Sequence, residues 1–134
     1  NQPHGSIAMQ AVAHTTLNIL VLAALVDHRA SHLETQMITK ELLHLFDSEQ
    51  LGMESRRLSE LVDATIIDFT KQGLNKNPVA TQRALDEIEK LSKDDSESAF
   101  NAARRVVESL KVADAQGRVD EHNFILSLMH AIHK

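Results

Sequence analysis

The sequence contains no cysteine and few aromatic residues: its 134 residues include four Phe but neither Trp nor Tyr. The absence of cysteine excludes disulfides, thiolate zinc sites, iron–sulfur clusters and a cysteine nucleophile. A cysteine-free chain also fits a reducing compartment, so we expect a cytoplasmic protein. Because aromatic side chains are scarce, the core must be built from Leu, Ile, Val, Ala and Met, which pack readily between helices.

Sequence motifs of covalent and hydrolytic catalysis are also missing. There are only four Gly and two Pro, and the chain has no GxSxG nucleophile motif, no glycine-rich phosphate loop and no HExxH zinc motif. We therefore predict that the protein is not an enzyme. The net charge is -5, and Lys and Arg are mixed with acidic residues rather than gathered into a stripe, so nucleic acid is not an expected partner.

The length and composition predict one soluble globular domain. Hydrophobic residues make up 43% of the chain and charged residues 25%, which is ordinary for a chain of this size with a single core. We assign residues 7–134 to this domain and residues 1–6 to a disordered N-terminal end. The apolar run 17–26 is shorter than the roughly 20 residues that span a membrane, so we predict a buried core helix and no transmembrane segment.

Apolar residues recur at helical spacing along almost the whole chain, and no alternating strand pattern is bounded by a hairpin turn. This spacing predicts an all-α fold, a compact bundle of about six helices with mostly antiparallel neighbours. The helices are expected at 7–27, at 33–46, from 54 or 55 to a stop at Gly73, from Asn77-Pro78 to about 92, from a cap at Asp94, Asp95 or Ser96, and from about 120.

Two helix junctions share an order of residues that core packing does not require. Residues 112–123 combine an apolar helix end, a predicted turn at Gly117 and an acidic helix start. Residues 25–34 repeat this order around Asp27. Aligning Asp27 with Gln116 places His28 opposite Gly117 and Glu34 opposite Asn123. This pseudo-repeat predicts that the two junctions meet about a pseudo-twofold axis.

These junctions resemble the TerB-like domain of tellurite-resistance proteins, which carries an Ala-Asp-Gly signature, a small apolar residue and a Glu at each of two helix junctions. Residues 112–124 are the better match, and the resemblance extends from about residue 12 to the end of the chain. It implies a non-enzymatic binding or scaffolding domain of a tellurite or chemical-stress response, with a divalent metal at acidic positions. Carried over by position, these are Asp27, Glu34, Asp114, Asp120 and Glu121.

The sequence departs from the family pattern at both junctions. His28 replaces the Gly of the first signature, while Gln116 and Asn123 replace the Asp and the Glu of the second. If the second segment is compared with a calcium-binding EF-hand loop with Gly117 at its sixth position, Val112 falls first and Asn123 twelfth. Both anchoring carboxylates are then missing, which excludes a calcium EF-hand.

The first junction keeps the stronger set of metal ligands. His28 and His32 stand four residues apart, a spacing that would place both imidazoles on one face if that stretch were helical, and Asp27 and Glu34 flank them. Mixed imidazole and carboxylate ligands favour a zinc-like ion over calcium. For the second junction, an alternative is that Asp114 and Gly117 only end one helix, while Asp120 and Glu121 complement the dipole of the next at about 0.3 to 1 kcal/mol each.

The sequence therefore leaves three classes of function open. The first is the TerB-like binding or scaffolding domain, with no certain cofactor but a candidate divalent metal. The second is a metal-dependent enzyme or carrier that uses the carboxylates and histidines of the junctions. The third is a helical protein–protein interaction module without metal, for which protein partners, a homodimer included, are expected.

Overall fold

Six α-helices account for most of the chain in the computed structural model, which describes residues 7–26, 32–46, 51–109 and 115–133. No strand occurs in these four ranges, which confirms the all-α bundle predicted from the sequence. The predicted disordered end, residues 1–6, lies outside them. In chain order the helices are α1 (Ile7–Leu25), α2 (His32–Leu45), α3 (Ser55–Lys71), α4 (Val79–Ile88), α5 (Lys93–Ser109) and α6 (Ala115–Ile132).

Helix α1 is the centre of the bundle, because α2, α3, α4 and α5 all pack against it. Every residue from Leu17 to Val26 is buried, and all of them except Asn18 are apolar. A helix surrounded by other helices can be apolar on its whole circumference, whereas a surface helix carries a single stripe. The predicted central core helix is confirmed.

The apolar character of α1 extends further toward its N-terminus than the run 17–26. Ala8–Leu25 has a mean hydropathy of 1.5 and is long and apolar enough to cross a membrane by length and composition alone. However, 61% of this stretch is buried inside the bundle. Since a core helix meets the same criteria, a single helix of this kind is weak evidence for a membrane span.

The outer helices also pack against one another. Helix α2 packs against α3 and α5, and α6 packs against α4 and α5. The Thr35 hydroxyl donates a hydrogen bond of 2.6 Å to Asp63 Oδ1, which links α2 to α3. Arg105 Nε donates to Glu41 Oε1 at 2.9 Å, which links α5 to α2. These two bonds therefore connect the outer helices α2, α3 and α5 to one another.

The C-terminus of α3 follows the predicted stop signal. Gly73 adopts a positive φ of 78°, and its N–H donates to the carbonyl of Thr70 at 3.1 Å. The N–H of Leu74 donates to the carbonyl of Phe69 at 2.9 Å, and both of these side chains are buried. This combination of bonds and apolar contact is the Schellman ending that a glycine one residue beyond the C-cap favours.

Two predicted helix starts were wrong in detail. Helix α5 begins at Lys93, and its cap is Ser92 rather than an acid or Ser96, because the N–H of Asp95 donates to Ser92 Oγ at 3.2 Å. At α4, Asn77 does not cap the backbone. Its side-chain oxygen instead accepts from the hydroxyl of Thr81, and Pro78 lies just before the first helical residue.

The helical spacing of apolar residues predicts a buried stripe on α2 that begins at Leu33, and this prediction was wrong at its first residue. Leu33 is 60% exposed, whereas Thr35, Ile38 and Leu42 are buried. At about 100° per residue, Leu33 lies about 200° around the helix from Thr35, so the face that packs on α1 and α3 excludes it. An apolar side chain is therefore left on the surface next to the first junction.

Candidate functional site

The second junction is more helical than its sequence predicts. Helix α6 begins at Ala115, so Gly117 is a buried helical residue and not a turn. Asp120 and Glu121 consequently lie in the second turn, and the first turn has no acid. The Gln116 amide donates to Asp120 Oδ1 at 3.1 Å, a contact between residues four apart that supports the early start. Glycine costs only about 1 kcal/mol inside a helix, so it did not end this one.

Three of the predicted ligand positions are buried carboxylates. Glu34, in the first turn of α2, is 6% exposed, and Asp120 and Glu121 are 8% and 7% exposed. One carboxylate oxygen of Glu34 and one of Glu121, Oε2 in each case, is shielded from solvent. An acid that only complements a helix dipole needs no burial, and burying a carboxylate is costly unless it is compensated. Burial therefore separates these residues from ordinary surface acids.

The other predicted ligands cannot be placed. Asp27, His28 and Asp114 lie outside the described residues, as does the side chain of His32, so the predicted meeting of the two junctions also lies outside them. Within the described ranges, no three His, Asp or Glu side chains are grouped closely enough to hold a metal ion. Glu34 is therefore not joined by Asp120 and Glu121 in one site.

A buried polar cluster that sequence reasoning missed lies between α1 and α4. Glu87 is 1% exposed, and its Oε1 accepts a 2.9 Å hydrogen bond from the Asn18 amide. Its Oε2 accepts from Lys90 Nζ at 2.9 Å and from Arg83 Nε at 3.4 Å. We call these four residues the Glu87 cluster.

The Glu87 cluster holds its carboxylate in the ionised form. Burial by itself raises the pKa of Glu87, but the hydrogen bonds from Asn18 and Lys90, the positive charge of Lys90 and the hydrogen bond from Arg83 outweigh it. The pKa therefore falls below its ordinary value of 4.5. The sequence signals were Asn18, a polar residue inside an apolar run, and basic residues four before and three after Glu87.

A surface cavity of about 790 Å³ lies between α4 and α6. Arg83 and Asp86 contribute charged groups to its wall, and Asn123 and Ser127 line it from α6. Asn123 is the residue that the pseudo-repeat places opposite Glu34, so the two equivalent positions have different surroundings: Glu34 is buried, whereas Asn123 is exposed beside this cavity.

The chain was compared with protein families, curated proteins and solved structures. No family matches it, and neither a curated protein nor a solved structure does.

Proposed function

We propose that this chain is a TerB-like domain, a non-enzymatic binding or scaffolding protein of a tellurite or chemical-stress response, with a divalent metal bound at its first helix junction. The observation that carries the proposal is the burial of Glu34 and Glu121. Each lies within the first two turns of the helix that follows one of the two junctions with family resemblance.

The ligand chemistry favours the first junction. Glu34 lies within eight residues of Asp27, His28 and His32, so this short segment carries two carboxylates and two imidazoles. Zinc accepts this mixture of nitrogen and oxygen ligands, usually four of them in a tetrahedral arrangement. A metal held in this way would tie the end of α1 to the start of α2, which suits a structural role.

The second junction is the poorer metal site. Its candidates, Asp114, Asp120 and Glu121, offer only oxygen ligands, and Asp120 already accepts a hydrogen bond from Gln116. In this proposal the second junction therefore contributes to the packing of the bundle rather than to the metal centre.

Zinc-dependent thermal stability of a Glu34→Gln variant tests this proposal. Protein purified without an affinity tag should melt at a higher temperature with zinc, since a ligand at 100 times its Kd stabilises the folded state by about 2.7 kcal/mol. Glu34→Gln keeps the shape of the side chain but removes its charge, so the zinc-dependent rise should fall by more than half.

The matched control is Glu60→Gln, because the Glu60 side chain is 67% exposed and lies on α3, outside both junction segments. This variant should keep the full rise. A melting temperature of the wild-type protein that does not respond to zinc, or an equal response of both variants, would contradict the metal proposal.

The exposed apolar side chains beside the junctions favour a second candidate, a protein–protein interaction module. Leu33 on α2 is 60% exposed and Val119 on α6 is 51% exposed, each next to a buried acid. Surface residues of this kind are typical of contacts with a partner when they form a patch. This candidate would be supported by a molecular mass that rises with protein concentration in the wild type. The Leu33→Ser variant should remain at the monomer mass, whereas Ile67→Ser on α3 should still show the rise.

A further inference from the structure

The apolar pattern of the second half of α1 gives little information about the orientation of the helix. From Leu17 to Val26 the helix is buried on all sides, and nine of these ten residues are apolar. In a helix with one apolar stripe, a rotation would expose that stripe to water, which fixes the orientation. Between Leu17 and Val26 a rotation exchanges one buried apolar side chain for another, so apolar burial in this half of α1 discriminates weakly between orientations. In the first half, the exposed Gln10 and His14 mark one outward face.

Asn18 is the exception in this run. It is 7% exposed, and its amide donates to Glu87 Oε1 on α4 at 2.9 Å. The other oxygen of Glu87 accepts from Lys90 and Arg83, whose side chains reach the surface and are 60% and 34% exposed. The carboxylate therefore has charged partners on its outer side and a single amide partner on the α1 side.

The Asn18–Glu87 hydrogen bond can form only in a narrow range of α1 orientations. A rotation of α1 by one residue, about 100°, or a shift by one turn, about 5.4 Å, would move the Asn18 amide out of hydrogen-bonding reach of Glu87. The amide and the carboxylate would then both be buried with one bond fewer, which is costly in a core.

Thr15 and Thr16 are also buried on α1, but a threonine does not require a partner on another helix. A threonine hydroxyl inside a helix can bond to a carbonyl of the preceding turn of the same helix. Such a bond is kept when the helix rotates as a rigid body, whereas the Asn18 bond to another helix is lost.

We propose that the Asn18–Glu87 hydrogen bond fixes the orientation of α1 in the bundle, both its rotation about the helix axis and its position along that axis. Buried polar contacts that fix the register of packed helices act in this way. The inference is independent of the proposed function, because it concerns neither junction.

The test compares Asn18→Leu with the double variant Asn18→Leu/Glu87→Leu. The single variant keeps the buried carboxylate but removes its amide partner, so its melting temperature should fall by roughly 10 °C. The double variant replaces the whole contact by apolar side chains and should recover most of this loss. Its α1 amides should nevertheless give several or broadened NMR signals and exchange with solvent at least tenfold faster than in the wild type.

Two further variants keep the test decisive. Glu87→Gln retains an oxygen that can accept from Asn18, so α1 should keep one set of NMR signals even though the protein is less stable. Thr16→Val, equally buried on the same helix, should also keep one set. The proposal would be overturned if the double leucine variant gave one sharp set of NMR signals with the amide exchange rates of the wild type, or if it failed to fold. It would also be overturned if the Glu87→Gln variant were as disordered as the double leucine variant.

Discussion

The burial of single side chains decides which leucines carry the core. Leu61 and Leu128 both lie within apolar stripes in the sequence, but Leu128 is fully buried whereas Leu61 is only half-buried. Leu128→Ala should therefore lower the free energy of unfolding by about 2 to 5 kcal/mol, the cost of lost burial plus a cavity. Leu61→Ala should cost less, about 1 to 2 kcal/mol.

Urea titrations of the two alanine variants measure this difference. Equal losses would show that both sites have the same packing. A loss below about 1 kcal/mol for Leu128→Ala would mean that this part of α6 faces solvent in solution.

The lowered pKa of Glu87 makes the protein less stable in acid. A group whose pKa is lower in the folded than in the unfolded state stabilises the fold above its ordinary pKa, here 4.5. This stabilisation is lost as the pH falls through the lower folded-state value. Glu87→Gln should therefore lower the free energy of unfolding by about 1 to 3 kcal/mol at pH 7, and the difference from wild type should shrink as the pH falls below 4.5.

The measurement is a series of urea titrations between pH 7 and pH 3, with Glu89→Gln as the control. Glu89 lies two residues further along the chain and is exposed, so this variant should follow the wild-type pH dependence. If the difference for Glu87→Gln were constant across the range, the carboxylate charge would not be its cause.

At the scale of the helix, a side-chain cap marks where α5 begins. Ser92 Oγ accepts from the N–H of Asp95, which satisfies one of the free N–H groups at the start of α5. Ser92→Ala should lower the free energy of unfolding by about 1 kcal/mol. Ser109→Ala is the matched control at the other end of α5, because its hydroxyl only bonds back to the Arg105 carbonyl. If Ser109→Ala lowered the free energy of unfolding as much as Ser92→Ala, the cap would not explain the effect of Ser92→Ala.

A helix could be predicted from the sequence where its face and its end are set by local features. The stripe of α3 and its glycine ending are local features, and the structure confirms both. The start of α6 was missed because Gly117 is ordinarily a helix breaker, whereas here it lies buried inside a helix. Leu33 was misplaced because its apolar character fits the stripe of α2, and only tertiary packing shows that α1 and α3 cover a different face.

The candidate site was only partly predictable for a related reason. Sequence patterns treat acids as surface residues, so they cannot distinguish the buried Glu34 and Glu121 from solvated helix-start acids. Glu87 was missed because Arg83 and Lys90 around it have the spacing of an ordinary surface ion-pair series. Its burial comes from α1, which is distant in sequence and brings Asn18 to the carboxylate.

At the scale of the whole molecule, an apolar central helix runs toward the junction that carries the predicted metal ligands. Helices α2 to α5 surround α1, and the chain after α1 leads through residues 27–31 into α2. A metal at this junction would join the centre of the bundle to its outer layer, so binding and folding should be coupled. We therefore expect metal affinity to depend on the ligands of the first junction.

Calorimetric titration of tag-free protein with zinc and calcium tests this claim most directly. The wild type should bind zinc and show little response to calcium, and zinc binding should weaken as the pH falls below about 6.5, where imidazole becomes protonated. The paired His28→Ala/His32→Ala variant should lose zinc binding, whereas a His130→Ala/His133→Ala pair at the end of the chain should retain it. Tight calcium binding, or zinc binding that survives the loss of His28 and His32, would contradict the account.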